Sequence, residues 1–157
     1  MRGYVLQLCR RLTQPGEQLV LMLDQSKAGK GFDVLMLSVC VDQRALPVLW
    51  TVQQTRGAIG FAEQRCLLEA VVQMLPASPV VLMADRFYGT PALVEWCQTH
   101  QWRYRIRLKG NLIFQHLGGE VMGKDAASWS MRALNQATFN NSAIQTNIGI
   151  IHQATHE

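Results

Sequence analysis

Two apolar runs in this chain each end in an aspartate: Leu19-Val20-Leu21-Met22-Leu23-Asp24 and Val80-Val81-Leu82-Met83-Ala84-Asp85. Near-continuous hydrophobicity over so short a span is what a strand buried on both faces requires, because each successive side chain turns to the opposite side. Each aspartate then falls where a central strand leaves the core. A single strand-end aspartate commonly does no more than cap the following turn. Two of them, on the two most hydrophobic runs, form a pair of carboxylates that can share a metal.

The segments between the runs supply the rest of a sheet. The Gly29-Lys30-Gly31 turn leads into Asp33 to Val41, and Asp42-Gln43-Arg44 leads into Ala45 to Gln53, which together predict a hairpin. Asp33 and Asp42 flank its first strand and are expected to be solvated turn residues. From Phe61 to Leu75, the residues Leu68, Val71, Val72 and Leu75 follow a helical stripe that Pro76 ends. After Asp85, the turn Arg86-Phe87-Tyr88-Gly89 feeds a second helix with Thr90 as cap, Pro91 in its first turn, and Leu93, Val94 and Cys97 facing inward.

The segment from Trp102 to Lys109 alternates strictly. It places Arg103, Arg105, Arg107 and Lys109 on one face of a predicted strand and Trp102, Tyr104, Ile106 and Leu108 on the other. An isolated basic stripe often marks only a solvated face, but beside a carboxylate pair it favours contact with a phosphate backbone. Arg86, directly after the second aspartate, is a further candidate for phosphate contact. Gln25 and Ser26 are candidates for orienting the ligands at Asp24.

The order strand, strand, strand, helix, strand, helix, strand predicts an α/β fold with a ribonuclease-H-like mixed sheet. That fold sets its first and fourth strands side by side, bringing Asp24 and Asp85 to one edge. The chain divides into a short basic N-terminal piece that reads as a remnant (1–18, with Arg2, Arg10, Arg11 and a turn at Pro15-Gly16), a sheet-forming core (19–110) and a region of further β structure (111–157) in which Leu112 to Phe114 and Ala143 to Ile151 read as strands.

Composition bounds the function classes. At 157 residues, 48% hydrophobic and 17% charged, the chain can bury a core of its own and is not a disordered segment. No apolar stretch approaches the ~20 residues needed to span a bilayer, and no signal-peptide layout is present, so a cytoplasmic protein without membrane association is expected. Cys9, Cys40, Cys66 and Cys97 lack zinc-ligand spacing and are expected as reduced thiols. His152 and His156 stand four apart, but in an extended context. Trp50, Trp96, Trp102 and Trp129 are assigned to packing. The net charge of +4 is a mild bias toward polyanions.

The segments Leu21-Met22-Leu23-Asp24-Gln25-Ser26, Val81 to Gly89, and Trp102 to Asn111 resemble the DDE transposases of bacterial insertion sequences, in the branch with a Y-R-E-K signature. The resemblance covers Gln18 to Asn111 well and Ala143 to Glu157 more loosely. It implies metal-dependent phosphodiester hydrolysis and strand transfer on double-stranded DNA, both transposon ends and target. It also implies magnesium or manganese as two ions, a homodimer in a synaptic complex, and a bacterial, nucleoid-associated setting. Asp24 matches the ligand that bridges both ions and Asp85 the ligand of one. The family's glutamate belongs to a Y-x2-R-x3-E-x6-K pattern, and no such pattern occurs in this sequence, where neither Glu120 nor Glu157 has the required tyrosine and arginine before it. The third carboxylate has no counterpart in this chain, which is therefore expected to be either a truncated gene product or a fragment, with little or no transposition activity alone.

Two other readings stand beside this one. A phosphatase of the haloacid-dehalogenase type needs a second aspartate two residues after its nucleophile, where this chain has Ser26. A non-catalytic DNA-binding or dimerising remnant would keep the fold and the basic strand without the chemistry.

Overall fold

The structure is a computed structural model that describes residues 2–12, 17–55, 57–126 and 133–149. Its elements are, in chain order, α1 (Arg2–Leu12), β1 (Leu19–Lys27), β2 (Phe32–Val41), β3 (Arg44–Gln54), α2 (Phe61–Val72), β4 (Val80–Ala84), α3 (Pro91–Thr99), β5 (Arg103–Ile106), β6 (Ile113–His116), β7 (Gly119–Met122), α4 (Gly123–Ala126), β8 (Ala133–Phe139) and β9 (Gln145–Gly149). A 3₁₀ turn, Arg86–Tyr88, joins β4 to α3.

Five strands form the first sheet in the order β3-β2-β1-β4-β5. β2 pairs antiparallel with both β1 and β3, whereas β1, β4 and β5 run parallel. This is the mixed sheet of the ribonuclease-H-like fold, with the two aspartate-ended strands adjacent at its centre. The β1–β2 turn needs glycine at both ends, since Gly29 and Gly31 have φ of +121° and +81°, in the region where a side chain is strained.

The packing departs from the sequence expectation in one respect. Leu19, Leu21 and Leu23 of β1 and Leu82 of β4 are fully buried, in a single core with Val5 and Cys9 of α1, Leu67, Leu68 and Val71 of α2, and Leu93, Trp96 and Cys97 of α3. The alternate residues Val20, Met22 and Val81 are only half-buried, and Met83 is 41% exposed. The central strands are thus buried on one face, not two. Among the described residues the other face keeps an exposed apolar band that includes Trp50 and Val52 of β3. An unbroken run of apolar residues reports that both faces are apolar, not that both are covered.

Helix α3 forms as predicted. The Thr90 hydroxyl accepts from Leu93 N at 3.4 Å, Pro91 occupies the first turn, and Leu93, Val94 and Cys97 are buried. The basic strand is shorter than its alternation suggests, since the strand ends at Ile106. Past β5 a second sheet, in the order β7-β6-β8-β9, encloses its own core of Phe114, Val121, Leu134 and Phe139 with Val94 of α3. Tyr104 ties the two sheets together: its hydroxyl lies 2.9 Å from Thr146 Oγ1 and accepts from Gln98 Nε2 at 3.1 Å. His152, His156, Trp129, Glu157 and the Pro15-Gly16 turn lie outside the described residues.

Candidate functional site

Register across the three parallel strands builds the site. Leu23 pairs with Ala84, and Ala84 pairs with Ile106, so the next row outward is Asp24, Asp85 and Arg107. The Arg107 N–H donates to Ala84 O at 3.0 Å, which carries the parallel pairing one residue past the end of β5. Adjacent strands stand about 4.8 Å apart, and this sets the two aspartate backbones one strand spacing from each other. Because side chains alternate, the row lies on the face opposite Leu23 and Ala84, the open face of the sheet. Asp24 is exposed there and Asp85 half-buried.

Arg107 Nη1 is 3.7 Å from Asp85 Oδ1. The pair is wet, with side chains 75% and 40% exposed, so water and salt screen it and it adds little to stability. Its importance is positional. Asp85 Oδ1 is itself buried and accepts no hydrogen bond from any described residue. A carboxylate oxygen withdrawn from water without a donor is a costly arrangement, and a bound cation relieves it. The donor set at this edge, exposed Asp24 beside that oxygen, is the hard-oxygen type that divalent cations prefer.

The expected alternation holds at the level of exposure: Arg103, Arg105, Arg107 and Lys109 are exposed, whereas Trp102, Tyr104, Ile106 and Leu108 are half-buried. The cations nonetheless separate into two groups. Arg86, Arg107 and Lys109 line a cleft of about 340 Å³ with Phe87. Phe87 is 51% exposed, and the Arg86 guanidinium and Lys109 Nζ lie 5.7 and 5.3 Å from its ring centroid. Arg103 and Arg105 lie further back along β5, and Arg105 Nη1 donates to the carbonyl of Tyr104 at 3.0 Å.

Gly89 lets the turn after Asp85 lie directly on the chain that carries Arg107. A Cβ there would stand 2.7 Å from Arg107 O and 2.9 Å from Leu108 Cδ2. On the other side of Phe87, a wider cavity of about 660 Å³ is lined by Gln25, Lys27, Lys30 and Asp33.

Two expectations need correction. Asp33 is not a solvated turn residue but a strand residue only 8% exposed, paired across the ladder with Lys27. The antiparallel register draws it onto the inner face. Asp42 does occupy an exposed turn, with φ of +52°. Gln25, expected to orient ligands, instead secures the loop before α2: its Nε2 donates to Gly57 O and its Oε1 accepts from Ile59 N, both at 2.9 Å.

Sequence reasoning overlooked Tyr88. The 3₁₀ turn after Asp85 folds this residue back into the core, where it is 1% exposed and its hydroxyl has no hydrogen-bond partner among the described residues. Burial raises the pKa of its phenol, and the negative charges of Asp24, Asp85 and Asp33 raise it further. The tyrosine therefore stands within electrostatic reach of both site aspartates and stays protonated. Only its place three residues after Asp85 could have signalled this from sequence.

Among the described residues no three acidic, histidine or cysteine side chains cluster as metal ligands. Glu120 lies on β7 of the second sheet and accepts from Gln115 Nε2 at 2.9 Å. No described helix is long and apolar enough to cross a membrane.

Comparison with known families finds that residues 10–148 match the model of a family described as the transposase DDE domain. No curated protein matches the chain.

Proposed function

Because the chain belongs to the transposase DDE domain family, we propose that it is the catalytic-domain portion of a DNA transposase, with Asp24 and Asp85 as its metal ligands. The observation that carries this reading is the register row Asp24–Asp85–Arg107 at the open end of three parallel strands. Asp24 and Asp85 would hold magnesium or manganese, Asp24 bridging two ions, and such ions supply an activated oxygen nucleophile and stabilise charge on the phosphate and the leaving oxygen. Arg86, Arg107 and Lys109 would grip the phosphates flanking the scissile bond. Arg103 and Arg105 would extend that grip along β5. Phosphate contacts of this kind fix register and orientation without reading sequence.

The finer reading places the protein in the Y-R-E-K branch of bacterial insertion-sequence transposases. It would act on transposon ends and target as a dimer in a synaptic complex, in the nucleoid. Residues 19–110 would form the ribonuclease-H-like core, preceded by the basic segment 1–18, and 111–157 would belong to the inserted β region. The chain contributes two of the three carboxylates such chemistry uses, and two anchor metal less firmly than three. We therefore assign it weak or no strand transfer by itself.

The cleft lined by Arg86, Arg107 and Lys109 also suits a second reading, a non-catalytic DNA-binding or dimerising remnant of a transposase. Incubation of the chain with supercoiled plasmid and manganese separates the two. Slow nicking that D24N abolishes supports the catalytic reading. Salt-sensitive DNA binding with no nicking supports the remnant. Robust strand transfer by the chain alone contradicts the assignment of a missing third carboxylate.

A further inference from the structure

A buried phenol normally finds a hydrogen-bond partner, because folding takes it away from the water that would otherwise serve. Tyr88 has none among the described residues, although it is 1% exposed. A few residues away Asp85 Oδ1 is in the complementary condition, a buried acceptor with no donor. The donor and the acceptor belong to the same turn, since Tyr88 N bonds back to Asp85 O at 3.0 Å, yet the two side chains do not bond to each other.

The surroundings fix the direction of the missing bond. A phenol has one proton to donate, and its natural acceptors near Asp24 and Asp85 are carboxylate oxygens or water oxygens attached to a cation. Packing alone does not require the hydroxyl: a phenylalanine would fill the same core position and leave no polar atom unpaired.

We propose that Tyr88 is a positioning residue of the Asp24–Asp85 site, its hydroxyl donating to the oxygen shell of a divalent cation held between the two carboxylates. This inference rests on the metal reading given above. Tyr88 would fix the orientation of that shell from below the sheet edge, while Arg107 borders it from the solvent side. Loss of such an outer partner typically weakens metal affinity 10- to 100-fold.

The test uses manganese chloride as the probe, with calorimetric titration and thermal melts of the wild type, Tyr88→Phe, Asp24→Asn and Tyr104→Phe. Tyr88→Phe should bind manganese at least roughly 10-fold more weakly, while melting without metal at or above the wild-type temperature. Tyr104→Phe, which loses its bonds to Thr146 and Gln98, should melt earlier with unchanged manganese affinity. A Tyr88→Phe affinity equal to wild type overturns the inference and leaves the metal reading intact. Absence of manganese binding by the wild type overturns both. If Tyr88→Phe folds poorly, the Tyr88 ring signals in the nuclear magnetic resonance spectrum of the wild type decide the matter. A shift on adding magnesium supports the inference, and no shift overturns it.

Discussion

Asp85 and Arg107 face each other across the β4–β5 pair, one row beyond Ala84 and Ile106, with Arg107 Nη1 3.7 Å from Asp85 Oδ1. Parallel pairing aligns strand ends and alternation aligns faces, so an acidic site and its cationic border arise from register alone. The half-open contact leaves both groups free to take other partners, Asp85 a cation and Arg107 a phosphate.

If Arg107 contacts phosphate, replacing it with alanine should weaken binding to duplex DNA by a similar factor for any sequence. It should also reduce the slope of log affinity against log salt by about one. Fluorescence anisotropy over a range of salt concentrations measures that slope. An unchanged slope would remove Arg107 from the interface.

Gly89 is where the turn after Asp85 meets the backbone of Arg107 and Leu108. Gly89→Ala should destabilise the fold by roughly 1–3 kcal/mol, because backbone must move to admit the methyl group. Chemical denaturation followed by circular dichroism would show it. The same substitution at Gly57, where an added Cβ meets nothing within 4 Å, should have little effect.

Alkaline pH should weaken the fold. Burial holds the Cys97 thiol up at about 12 against an ordinary value of 9.0, and Tyr88 is raised as well. Above pH about 9 the unfolded chain releases the Cys97 proton while the folded chain retains it. The unfolded state then binds fewer protons and stability falls with rising pH. The contribution is complete below pH 9 and is lost toward pH 12. Urea midpoints at pH 8 and pH 10.5 should differ in that direction, and Cys97→Ala should narrow the difference.

The central strands, the hairpin, α3 with its Thr90 cap, and the edge shared by Asp24 and Asp85 were legible in the sequence. Apolar runs, turn glycines and a helix-opening Thr-Pro pair are local signals. The uncovered face was not legible, because Met83 and Leu82 are equally apolar and only packing distinguishes the 41% exposed residue from the fully buried one. Asp33 was misplaced because its burial depends on pairing with Lys27 rather than on its neighbours in the chain. Tyr88 offered only its place three residues after Asp85, since its proximity to Asp24 arises only when β1 and β4 lie side by side. Arg86, Arg107 and Lys109 were named from sequence, but their convergence on one cleft beside Phe87 was not, because it depends on the Gly89 turn lying against the chain just past β5.

The account depends most on Asp24 and Asp85 acting together as cation ligands. Calorimetric titration of manganese into the wild type, Asp24→Asn and Asp85→Asn tests this directly. The account predicts weak binding by the wild type that either substitution abolishes. Binding that survives both substitutions would show that the two aspartates do not hold the metal, and would contradict it.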